Sequence, residues 1–272
     1  NISTIFLSYF LGRTVVNPEG YVIYSERFNA IGLDVGFSGV MCFLSAMLFD
    51  TLRPKYFRFF ILISVVGLFL TGSRISFIFL RNSAIILVWT GLFHLRLKNQ
   101  GTSFKYNPKP LEENNPTFLF NNQTKDNLFY TFCSAIPLWT AYEVITFWAF
   151  ANKVIPYVSW EAYPIYCCFM FFLVPFIRDA HFYLTHRLLH WGPLYRIAHK
   201  VHHRNTNTGA WSGMSMHPIE HILYFSGILI HWIIPSHPLV AMYHVFHAGL
   251  APTPGHTGYE KMTFENGVTI PT

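Results

Sequence analysis

Apolar residues in this chain fall into long runs, with no two-residue alternation of polar and apolar positions. Runs approaching about 20 residues predict helices that cross a bilayer, and shorter ones predict re-entrant or interfacial segments. Val35 to Phe49 is uniformly apolar and is followed by Arg53, Lys55 and Arg58, which read as interfacial anchors. Phe59 to Gly72 and Ile75 to Leu95 are the next two runs, and together they predict a helical hairpin with Arg74 near its turn. Arg81-Asn82 interrupts the second of them, and an arginine at that depth must snorkel or find a partner. The pattern then breaks: Asn, Lys, Pro, Glu and Gly dominate from Arg96 to Asn127, as in a linker or extramembrane loop. Leu128 to Ala151 and Tyr163 to Ile177 are apolar again, the former holding Glu143, which reads either as a functional residue facing a cavity or as the structural partner of an arginine. Ile222 to Leu250 is apolar but carries Pro235 and Pro238, which predicts a hairpin dipping into the membrane.

These runs give an all-α integral membrane protein with four to six membrane-embedded helices. They divide the chain into N-terminal transmembrane helices (1–96), a polar linker (97–127) and a second membrane unit (128–272). Composition agrees: 52% of the 272 residues are hydrophobic and 12% charged, against about 25% charged in soluble domains. The net charge of +6 is scattered with no Lys/Arg block, which favours anionic headgroups over nucleic acid as the partner. Cys42, Cys133, Cys167 and Cys168 lie in apolar runs without paired spacing and read as small buried hydrophobes.

One stretch does not fit a purely structural membrane protein. HFYLTHRLLHWGPLYRIAHKVHHR, from His181 to Arg204, contains six of the 14 histidines, and thirteen of them lie between His181 and His256. His186 and His190 are an i,i+4 pair, which a helix places on one face. His199, His202 and His203 do the same on a second segment, and Trp191-Gly192-Pro193 between them breaks the helix so that the two can fold together. Five neutral imidazoles would then surround one volume. Imidazole suits Fe, Zn, Cu and Ni. Residues 187–189 are Arg-Leu-Leu, so the His-Glu-x-x-His of a zinc protease is absent. A structural zinc site usually includes cysteine, and bis-histidine haem would need one imidazole on each of two facing helices. Many nitrogens without cysteine point to more than one metal, with iron as the metal that offers oxygen chemistry. Isolated histidines such as His231 and His237 read as satisfied side chains.

Taken together, Asp179, Tyr183, His186-Arg187-x-x-His190, Leu194-Tyr195, His199-x-x-His202-His203 and His217-Pro218-Ile219-Glu220 resemble the fatty acid hydroxylase and sterol desaturase superfamily of membrane di-iron enzymes. WSGMSMHPIEH and PGHTGYE are similar to its sterol desaturase-like branch, and the similarity covers residues 125 to 272. The resemblance implies two non-haem irons in a histidine-rich cap on one membrane face. They would be reduced by an external donor such as cytochrome b5 or ferredoxin, and would use O2 to hydroxylate or desaturate a lipid, sterol or fatty acyl. It assigns His186, His190, His199, His202 and His203 as ligands, with His256 and one of His247 or His244 completing the second metal. Asp179 either orients a ligand imidazole or pairs with Arg178 or Arg187. His181, Arg187, His217 and Glu220 are supporting residues, the last two capping and bracing a helix that Pro218 opens. A third His-x-x-His-His box is expected after His256-Thr257-Gly258-Tyr259, where the sequence reaches Thr272; with Asn at position 1, the expectation is a piece of a longer chain. The rival expectation is a catalytically silent accessory subunit of a larger membrane complex. Nothing in the sequence chooses among endoplasmic reticulum, mitochondrial and bacterial inner membranes.

Overall fold

The computed structural model describes residues 74–264 and 267–272. The runs at Val35 to Phe49 and Phe59 to Gly72, and the hairpin turn expected near Arg74, lie outside the described residues or at their edge. Helix α1 (Arg74–Gln100) carries the third run and ends at Gly101, whose φ of +70° is the left-handed conformation that closes helices. Asn122 then caps α2 (Gln123–Tyr130) by accepting from the Lys125 N–H at 3.0 Å. A π-helical turn at Thr131–Ala135 joins α2 to α3 (Ile136–Ala151) without a break. Helix α4 (Pro164–Leu189) opens with proline at its first turn and holds Pro175 inside. Ile75–Gln100, Gln123–Ala151 and Pro164–Leu189 are long and apolar enough to span a membrane.

Beyond α4 the helices shorten: α5 (Lys200–His203), α6 (Pro218–Phe225) and α7 (Pro238–Leu250), with a 3-10 segment at Ser226–Trp232 between the last two. Two antiparallel strands, β1 (Lys261–Thr263) and β2 (Thr269–Pro271), pair in a register that sets Met262 opposite Ile270. The apolar patterning gave no sign of them, because three-residue strands are too short to show a period.

The core forms where α3 meets α1, α6 and α7, around Trp139, Ile136, Ile86, Phe225 and Val245. Trp139 stands edge-on to Phe246 at 5.2 Å and fits only because position 249 is glycine, where a Cβ would meet the indole at 2.3 Å. The buried charges of α1 and α3 are matched. Arg81 on α1 pairs with the fully buried Glu143 on α3, and Asn82 Nδ2 donates to Glu143 Oε2 at 3.1 Å and Thr140 Oγ1 at 3.2 Å. Arg81 thereby finds the partner that its depth demands. Residues 101–122 fold back on the histidine-rich region: Asn207 Nδ2 donates to the Lys109 and Pro110 carbonyls, and Gln123 Nε2 donates to Asn205 Oδ1 and the Asn207 carbonyl.

Candidate metal centre

His186 lies in the last turn of α4 and His190 is its C-cap, with their Nε2 atoms 3.0 Å apart. Trp191 then turns extended (ψ 129°), and the chain re-enters helix at Gly192-Pro193. The next turn, Tyr195–His199, is π-helical, the wider winding that recurs at functional sites. It delivers His199 against His186 and His190, with ring centroids 4.7 Å from each, and His203 follows with its Nε2 3.0 Å from that of His199. One ring nitrogen from each of His186, His190, His199 and His203 lies within 4.8 Å of the others. Each Nε2-to-Nε2 contact needs one nitrogen protonated and the other bare, whereas a cation between them would use all four lone pairs at once.

His199 is fully buried, and its Nδ1 lies 2.8 Å from Glu220 Oε1 in the first turn of α6. Burial lowers the His199 imidazole to about 4 and raises the Glu220 carboxyl well above the ordinary range, so the contact is not a charged ion pair in the absence of metal. A cation on Nε2 would put the proton on Nδ1, donated to the Glu220 carboxylate: the arrangement by which carboxylates orient metal-bound imidazoles. Glu220 Oε2 is buried without a hydrogen-bond partner. His217 caps α6, its Nδ1 accepting from the Ile219 N–H at 3.2 Å.

His202 and His256 face each other beside this group at 5.1 Å between centroids, and His202 stacks over His199 at 5.8 Å. The Nδ1 of His256 lies 2.9 Å from the Pro252 carbonyl, and that of His202 makes a longer 3.4 Å approach to the Ser215 carbonyl, so both can donate from Nδ1 and present Nε2 as a ligand. Gly258 fixes the turn after His256: its φ is +79°, and a Cβ would strike the Thr208 carbonyl oxygen at 2.4 Å. Burial, and then the neighbouring His256, lowers His202 to about 3; burial lowers His203 and His256 too. All are neutral at pH 7, the form that binds a cation.

The other residues singled out in the sequence lie elsewhere. Asp179 is exposed and accepts from Arg178 at 2.8 Å, and Arg187 donates to the Tyr183 hydroxyl at 2.9 Å. His181 Nε2 meets Ser226 Oγ at 3.0 Å. His244 Nδ1 meets His231 Nε2 at 3.0 Å, and His247 has a buried Nδ1 with no hydrogen-bond partner; neither belongs to the four-histidine group. Sequence reasoning passed over His221, which is fully buried. Its Nδ1 lies 2.8 Å from Ser134 Oγ, its Nε2 has no partner, and burial lowers it to about 3. The i,i+4 spacing of His217 and His221 was the available signal.

Residues 169–271 match the family model described as fatty acid hydroxylase. Among curated proteins, C-4 methylsterol oxidase erg25 of Schizosaccharomyces pombe is 40% identical over 73 residues, 25% of this chain and 24% of its own. Methylsterol monooxygenase 1 of Gallus gallus is 30% identical over 109 residues (39% and 36%), and the Delta(7)-sterol 5(6)-desaturase of Candida glabrata 30% identical over 118 residues (39% and 30%). The chain thus spans less than half the length of each of these relatives, and no solved structure matches it. The histidine boxes, the matched residues and these names agree: residues 169–271 of this chain are similar to the fatty acid hydroxylase family and, through these relatives, to its sterol desaturase-like branch.

Proposed function

We propose that this chain is the histidine-rich part of a membrane di-iron oxygenase that uses O2 to hydroxylate or desaturate a lipid, either a sterol or a fatty acyl chain. The observation that carries the reading is the convergence of four imidazole nitrogens within 4.8 Å, one of them backed by a buried carboxylate. That donor set is all nitrogen, with the Nδ1 of His199 held from behind by Glu220, and so fits iron. His186, His190, His199 and His203 would hold one metal. His202 and His256 would contribute to the second. Iron would supply the capacity to activate O2 against an unactivated C–H bond, drawing two electrons from an external donor. Glu220 keeps the His199 Nε2 lone pair directed at the metal by holding the proton on Nδ1. Phe182, whose ring lies 5.3 Å from that of His186, contributes an apolar wall that excludes water.

The test is the full-length, iron-loaded protein in lipid nanodiscs with a reducing system, given sterol or acyl substrates under 18O2. A product that carries one 18O, or that has lost two hydrogens as a new double bond, is expected and tells hydroxylation from desaturation. Neither product from iron-loaded protein across both substrate classes contradicts the reading.

A further inference from the structure

We infer that the end of α4 and the turn that follows it form a docking surface for an anionic lipid leaflet. Ile165, Phe169, Phe172 and Phe176 are exposed at spacings of four, three and four, the lipid-facing stripe of a membrane helix. The stripe does not stop where the apolar run gives way to Arg178-Asp179. It continues through the exposed Ala180 to Leu184 (65% exposed), Leu188 and Trp191 (61%), again at helical spacing. His186 and His190 are two residues out of step with it, about 200° around the helix, so the metal-binding side of α4 is distinct from the stripe even though His190 is itself exposed.

At 1.5 Å per residue the 26 residues of α4 reach about 39 Å, longer than the roughly 30 Å hydrocarbon layer. Its last turns therefore stand at headgroup level. Charge supplies the rest of the argument. Between Asp179 and Glu220 there is no acidic residue, while Arg187, Arg196, Lys200 and Arg204 are all basic. Arg204 is held by Asp126; the other three are exposed and have no carboxylate partner among the described residues. Arg187 is steadied by the Tyr183 hydroxyl and Arg196 by the Gly192 carbonyl, which keep both beside the stripe. Tryptophan, tyrosine and leucine flanked by unpaired cations match the interface of a leaflet rich in anionic phosphates. Continuity with the lipid-facing stripe favours a leaflet over an acidic protein as the occupant.

This surface does not depend on the catalytic reading, and its test uses no activity. The full chain in nanodiscs of zwitterionic lipid is compared with the same chain in nanodiscs containing phosphatidylglycerol, and amide hydrogen exchange over residues 184–200 is followed. Exchange should slow severalfold with the anionic lipid, and the difference should vanish in 1 M salt, where the Debye length is about 3 Å. In the variant R196Q/K200Q that severalfold protection should be lost, since each surface cation removed accounts for about fivefold in affinity, with metal content recorded as the measure of integrity. Equal exchange in both discs would overturn the inference. So would protection that appears only when an acidic soluble protein is added, which would assign the surface to that partner.

Discussion

The four-histidine group at the end of α4 and the polar clusters inside the helical bundle are built from similar side chains but satisfied in opposite ways. In the bundle the ionisable and histidine clusters are largely paired: Ser236 Oγ lies 2.8 Å from His231 Nδ1, His231 Nε2 lies 3.0 Å from His244 Nδ1, and Arg81 and Asn82 both donate to Glu143, whereas the Trp139 indole N–H and His247 Nδ1 are left without a partner. In the cap, four imidazole nitrogens converge within 4.8 Å, at His186, His190, His199 and His203, and Glu220 Oε2 and His221 Nε2 have no partner. Two imidazoles can close on each other with one proton between them. Four converging on one point leave lone pairs to spare, the arrangement that suits a cation.

The sharpest way to break this contrast is His203→Ala. Metal content should fall to background while the thermal midpoint of the metal-free protein stays within a few degrees of wild type, as read by metal analysis and scanning calorimetry. Glu143→Ala should do the reverse. Removing one partner of a buried pair costs about 3–5 kcal/mol, so chemical denaturation should register a large loss while metal per folded chain is unchanged. Glu220→Gln probes the boundary between the two regions, because it keeps the shape and removes the charge behind His199. Metal affinity should weaken about 10–100-fold, measured by competition with a chelator. Ser236→Ala should cost about 1 kcal/mol of stability and leave metal affinity untouched.

Acid sharpens the comparison further. His202 and His221 are lowered to about 3 and His217 to about 4 by burial. The unfolded chain therefore binds more protons than the folded one from pH 6.5 down to those values, and stability falls as pH drops through that window. Glu220, raised by burial, acts in the opposite direction but is outnumbered. The metal-free protein should hold its full stability above about pH 6.5 and lose it progressively below, in a pH series of denaturant midpoints.

Much of this was legible in the sequence because the signals are local. The i,i+4 spacing of His186 and His190, the break at Trp191-Gly192-Pro193 and the spacing of His199 and His203 suffice to bring four nitrogens together, since helix geometry does the rest. Glu143 and Arg81 were each recognisable as needing a partner by the cost of charge in an apolar run. What was not legible depended on chain reversal. The π-helical turn that carries His199 has no sequence period of its own. Ser134 and His221 meet across 87 positions, and the polar stretch after α1 carries no mark that it will pack against Asn205 and Asn207.

The most direct test is the iron content of the detergent-purified full-length protein, determined by inductively coupled plasma mass spectrometry with an absorption spectrum alongside. Two irons per chain and no Soret band are predicted. A folded protein that binds no metal would contradict the account and leave the histidines as relics in a structural subunit.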